Sequence, residues 1–158
     1  MTRDALWPFA LDRYGRPGVE AAMLALQDDH GQCVPLLLWA LWLAESGRPA
    51  TKHALAQGAT LARAWQDAAV APLRDLRRRL RLPGPGAKSR ERLRQGVKAL
   101  ELDAERMLLE MLEQASPAPS GVAASPADAL ADAVRAWGGE APDHLLAELA
   151  ARAGSDGR

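Results

Sequence analysis

The sequence predicts an all-α protein: an antiparallel helical bundle around one buried central helix, with a long αα-hairpin and a C-terminal helical extension. Three observations carry this. Ala and Leu dominate and β-branched residues are scarce, which favours helix throughout. Residues 33–44 read CVPLLLWALWLA, without a single charge. Downstream, two long apolar stripes with helical spacing flank a Pro/Gly-rich turn.

The first helix is expected to open near Asp4, an N-cap candidate, with Pro8 tolerated near its first turn. Trp7, Ala10, Leu11 and Tyr14 share one face of it, and Gly15 ends it. Pro17 suits the start of a second helix, whose stripe is Val19, Ala22, Met23 and Leu26 and whose stop is Gly31.

The third helix is the apolar run. It is too short to cross a bilayer, and a helix apolar on every side has to be enclosed by others. Pro35 fits its first turn, and Glu45 and Gly47 mark its end.

Thr51 is an N-cap candidate for a long fourth helix with the stripe Leu55, Ala59, Ala62, Trp65, Ala69, Leu73, Leu76 and Leu80, kinked or interrupted at Pro72. The breaker at 83–89 leads into a fifth helix. There Leu93, Val97, Leu100, Ala104, Met107 and Met111 alternate in steps of four and three, like a heptad seam. Two such seams joined by a short turn should pack as a hairpin. Residues 116–125 have linker composition, and two short helices follow, carrying Leu130, Val134 and Trp137 and then Leu145, Leu146 and Leu149. The expected organisation is a bundle domain over 1–115, a linker over 116–125 and a short extension over 126–158.

Composition limits the classes available. A chain of 158 residues can bury a core without disulfides or metals. Its one cysteine, Cys33, cannot form an internal disulfide, and charges within the first residues leave no room for a signal-peptide core. The cytoplasm is the expected location.

Three stretches read together as a pattern: WPFALDRY leading through PGVEAAMLALQDDHG to LLLWALWLA, then VAPLRDLRRRL from Val70, then VKALELDAER from Val97. They resemble a family of short proteobacterial proteins catalogued only as a domain of unknown function, over roughly residues 4–113. Gln27, Asp28, Gly31, Val34 and Leu36–Leu38 stand where that family's signature is expected. Pro35 replaces the Asn often found before its leucine run, so no polar role is expected there. The resemblance implies a helical fold and a bacterial cytosolic setting, and it transfers no catalytic residue.

Charge is the strongest non-generic signal. The net charge is zero, yet residues 74–98 carry ten cations against Asp75 and Glu91 only, while residues 99–158 carry four against eleven acids. Arg74, Arg77, Arg78, Arg79, Arg81, Lys88, Arg90, Arg92, Arg94 and Lys98 flank the hairpin turn and form a candidate site for an anionic partner, an acidic protein or a nucleic acid. No aromatic residue lies among them, so base stacking is not expected. The acidic C-terminal part could fold back over this tip and neutralise it, or act as an autoinhibitory mimic of an anionic partner.

Other constellations are weaker. Asp28, Asp29, His30 and Cys33 have types suited to a metal or a nucleophile pair, but they sit at a helix end where polar residues belong anyway. Tyr14, Arg16, Glu45 and His53 should share one end of an up-down bundle. Glu101 and Glu105 lie one turn apart and call for a nearby cation, with the turn expected near Trp65 and Arg63 as a clamp of hairpin register. Trp39 and Trp42, three apart on the hub, could wall an apolar ligand pocket. No catalytic residue, metal or cofactor is assigned. The function expected is a non-enzymatic interaction or regulatory protein, with a small-ligand-binding protein or enzyme as the alternative.

Overall fold

A computed structural model describes residues 5–154. They form α1 (Leu6–Tyr14), α2 (Val19–His30), α3 (Val34–Glu45), α4 (Lys52–Trp65), a π-helical turn (Gln66–Val70), α5 (Ala71–Arg79), α6 (Ala87–Gln114), α7 (Pro126–Trp137) and α8 (Asp143–Ala153). The fold is all-α, as expected, with no strand among the described residues. Asp4, the expected first N-cap, lies outside them.

α3 is the axis. Every residue from Val34 to Ala44 is buried, under α1, α2, α4, α6 and α7. Each buried leucine there is worth about 2 kcal/mol. Trp39 is sealed at both ends: its indole N–H donates to Ser116 Oγ at 2.8 Å, and its ring lies against Gly58 of α4. A Cβ on Gly58 would sit 2.2 Å from that ring, so only glycine lets α4 approach so closely. Trp42 is buried with Arg48 stacked 4.6 Å over its ring.

The long fourth helix of the sequence pattern is two helices. α4 stops at Trp65, five residues widen into the π turn, and α5 restarts with Pro72 in its first turn. Proline has no N–H for the preceding turn and its ring crowds the carbonyl four residues back. The wider turn relieves both, and the Ala71 N–H reaches Gln66 O instead.

α6 keeps part of the expected seam, with Val97 and Ala104 buried and Met111 half-buried. It buries Val97, Glu101, Ala104, Leu108 and Leu112, and leaves Leu93, Leu100 and Met107 exposed. α6 carries more than one apolar row, and the row chosen brings Glu101 in toward the arginines of α5.

Residues 126–153 dock onto this body. α7 lies across α3 and α4, and α8 lies on α2 and α7. Leu130, Ala133, Val134, Leu146 and Leu149 join the same core as α3. The Trp137 indole N–H donates to Gly31 O at 2.8 Å, Arg63 stacks 4.2 Å over its ring, and Gln32 Nε2 donates to Gly138 O at 3.2 Å. Arg16 donates to Ala153 O at 3.2 Å and to Gly154 O, tying α8 to the α1–α2 turn.

Candidate functional site

The ten cations of the hairpin divide into three groups. Arg74 and Arg77 turn inward. Arg74 Nε donates to Glu101 Oε1 at 3.0 Å, and its Nη2 to Glu105 Oε1 at 3.2 Å and Gln27 Oε1 at 3.4 Å. Arg77 Nε donates to Glu101 Oε2 at 2.6 Å and its Nη2 to Oε1 at 3.3 Å. The clamp expected at Glu101 and Glu105 therefore forms, but its arginines are Arg74 and Arg77. Arg63 is held instead at Trp137, where it donates to the backbone carbonyl. Trp65 does reach this turn of α6, donating to Ala104 O at 2.8 Å.

The two glutamates respond in opposite directions. Burial pushes the Glu101 carboxyl up, but hydrogen bonds from Arg77 and Arg74, with their charges, outweigh it and hold the group below its ordinary range. For Glu105 burial wins: with the charge of Glu101 adding to it, the carboxyl stays raised despite Arg74.

A second group braces the tip. Arg90 Nη2 donates to Leu82 O at 2.9 Å and Arg79 O at 3.2 Å, closing the end of α5 onto α6. Gly84 makes room for it, since a Cβ there would meet Arg90 Nη1 at 2.7 Å. Arg79 pairs with Asp75 at 2.7 Å, and Arg94 with Glu91 at 2.7 Å. Hydrogen bonds from Arg94 and Gln95 lower the Glu91 carboxyl to about 2.

The third group is Arg78, Arg81, Lys88, Arg92 and Lys98. All five are exposed, and none makes an ion pair among the described residues. No ion pair among the described residues joins α7 or α8 to residues 74–98 either. The acidic C-terminal helices lie on α2, α3 and α4 instead.

Below the hairpin, α1, α2 and α6 enclose a cavity of about 560 Å³ floored by Val34, Pro35 and Leu38 of α3. The α1 stripe of Trp7, Ala10, Leu11 and Tyr14 faces it. Its rim is apolar and open: Leu11, Leu24 and Leu102 are 55%, 38% and 56% exposed. Its inner wall is polar, formed by Gln27, Arg74, Arg77, Glu101 and Glu105. The Tyr14 phenol is raised by burial and by the charges of Glu20, Glu105 and Asp28. Sequence reasoning missed this cavity. The α1 stripe was its one visible signal, and it reads equally well as core.

Trp39 and Trp42 do not line it or either of two further surface pockets. Both are spent on core packing, and the cavity beside the hub opens against Val34, Pro35 and Leu38 instead.

The grouping of Tyr14, Arg16, Glu45 and His53 does not form. Tyr14 faces the cavity, Arg16 binds the end of α8, Glu45 pairs with Arg13, and His53 is exposed. The end of α1 does meet the end of α3, through Arg13 and Glu45, but α4 packs on α3, α6 and α7 rather than on α1. Cys33 is buried against Gln66 Nε2 at 3.5 Å, and burial pushes its thiol up to about 11, well away from nucleophile chemistry. Among the described residues no three His, Cys, Asp or Glu side chains are grouped to hold a metal ion.

No helix among the described residues is long and apolar enough to cross a membrane. A family described as a protein of unknown function (DUF2390) matches residues 5–112. Neither a curated protein nor a solved structure matches the chain.

Proposed function

We propose that this chain, which belongs to the DUF2390 family, is a non-enzymatic cytosolic interaction or regulatory protein that recognises an anionic partner through its α5–α6 hairpin. The observation that carries this reading is the set of five outward cations, Arg78, Arg81, Lys88, Arg92 and Lys98, none of them in an ion pair among the described residues. Of the other five, Arg74 and Arg77 hold the clamp, Arg90 closes the tip, and Arg79 and Arg94 pair with acids on their own helices. An acidic protein fits better than a nucleic acid. Leu76 and Leu82 are exposed among the arginines and offer apolar contact that phosphates cannot use, and no aromatic residue is present for stacking.

Affinity purification of the full chain from its native cell, with and without nuclease, tests the proposal. The expected result is a partner retained after nuclease, released by salt, and lost with the triple variant Arg78→Glu, Arg81→Glu, Lys88→Glu. Partners that survive charge reversal and high salt would overturn it. Capture abolished by nuclease would replace the acidic protein with a nucleic acid, whose binding falls steeply with salt.

A second reading is favoured by one observation, the cavity beside α3. Its size is that of a small-molecule site, and its apolar floor with a polar inner wall suits an amphipathic ligand. Native mass spectrometry of the purified chain would reveal such a ligand as a discrete mass increment, and Leu24→Trp at the rim should displace it.

A further inference from the structure

Leu93, Leu100 and Met107 stand seven residues apart on α6, so they form one ridge along the helix, and they are 56%, 55% and 50% exposed. No described residue covers this ridge. Gly96 lies between the first two of these residues, in the middle of a 28-residue helix. A Cβ on Gly96 would meet nothing within 4 Å, so the fold itself has no packing need for a glycine there. A mid-helix glycine is unfavourable by about 1 kcal/mol relative to alanine. The close approach of a second helix is the use that remains for it.

Charge identifies that helix. α6 is polarised along its exposed surface: Arg92 and Lys98 stand in its first half and Asp103 and Glu110 in its second, Glu101 and Glu105 being turned toward Arg74 and Arg77. A parallel copy of α6 would set like charges side by side. An antiparallel copy sets the basic half of each helix on the acidic half of the other. Arg92 and Glu110 lie about five full turns apart, on the same edge of the ridge. With the two-fold axis near Leu100, Arg92 of each copy meets Glu110 of the other.

We infer that the exposed Leu93–Leu100–Met107 ridge of α6 is a self-association surface on which a second copy of this chain docks antiparallel, with Leu100 against Leu100 and Leu93 against Met107. A two-fold contact of this kind is self-complementary and closes on itself. It needs no anionic partner, although it takes Arg92 out of the set of cations proposed above to bind one. It also leaves Arg78, Arg81 and Lys88 outside the ridge.

Analytical ultracentrifugation of the purified full chain over a concentration series tests the inference. The expected result is a monomer–dimer equilibrium that is lost with Leu100→Glu, while circular dichroism stays that of the parent and the melting temperature matches that of the parent diluted to its monomer, because Leu100 is exposed in the monomer. Arg92→Glu or Glu110→Arg alone should weaken the dimer, and the two together should restore it.

Cysteine pairing gives an independent readout, since the native Cys33 is buried. Leu100→Cys should cross-link to itself under oxidation. Leu93→Cys should cross-link to Met107→Cys in a mixture, and not to itself. A monomer at every concentration, a dimer indifferent to Leu100→Glu, or self-cross-linking of Leu93→Cys would each overturn the inference.

Discussion

Glu101 is the carboxylate on which the hairpin closes. It is buried, it faces two guanidinium groups, and it forms part of the stripe that α6 turns inward. Removing it leaves the mostly buried Arg77 without its carboxylate and Arg74 with only Glu105 and Gln27. Glu101→Ala should therefore lower unfolding stability by about 3 kcal/mol, read from the midpoint of a urea titration. Its pH dependence has a definite sign. The folded carboxyl lies below its ordinary value of 4.5, so its contribution is complete above that pH and disappears as pH falls through the folded value. Glu105 is raised and acts in reverse, favouring the fold as it takes up its proton. Glu105→Gln should thus make the acid loss of stability steeper, by removing the term that opposes it. The only tyrosine offers a direct probe of the cavity. Ultraviolet titration of Tyr14 should give a pKa above 10, and Glu105→Gln should lower it by removing a neighbouring negative charge.

At the scale of elements, the sequence was most legible where a helix has only one way to lie. α3 is apolar all round, so its burial follows from composition alone, and Pro35 and Gly47 bound it. α6 was the least legible. Leu93, Leu100, Leu102, Met107, Leu108 and Leu109 offer several apolar rows, and local periodicity cannot choose among them. The choice is made by tertiary partners: Arg74 and Arg77 select the row containing Glu101. The candidate site suffered likewise. All ten cations could be named from sequence, but not which would turn inward, because that depends on acids more than twenty residues away. α7 is held by specific bonds as well as by burial. Trp137→Ala removes the indole bond to Gly31 and the stacking of Arg63, and should cost about 2 kcal/mol. Hydrogen exchange should accelerate first in α7 and α8, ahead of α3.

Across the whole molecule, the C-terminal helices and the first six form one hydrophobic core. The full chain should therefore unfold in a single transition, with circular dichroism and tryptophan fluorescence coincident. A chain cut after residue 115 should lose that transition and aggregate, because Leu36–Ala44 would be left without the cover that α7 provides and Trp39 without its Ser116 acceptor. Two separate transitions in the full chain would contradict a shared core. This also governs how the hairpin is tested. Deleting the acidic tail to expose the basic tip would damage the body, whereas substitutions at Arg78, Arg81 and Lys88 leave it intact.

The position of α7 over α3 has a consequence during synthesis. The most apolar segment of the chain is made early, and its outer cover is made roughly 90 residues later, a delay of about 5–20 s on the ribosome at bacterial or eukaryotic elongation rates. Through that interval the nascent protein carries an unfinished, sticky surface. A ribosome slowed in the stretch after α3 and before α7 has emerged should be more harmful to yield than one slowed before Val34 is made. Codon choice in that stretch is thus a physical variable of this fold.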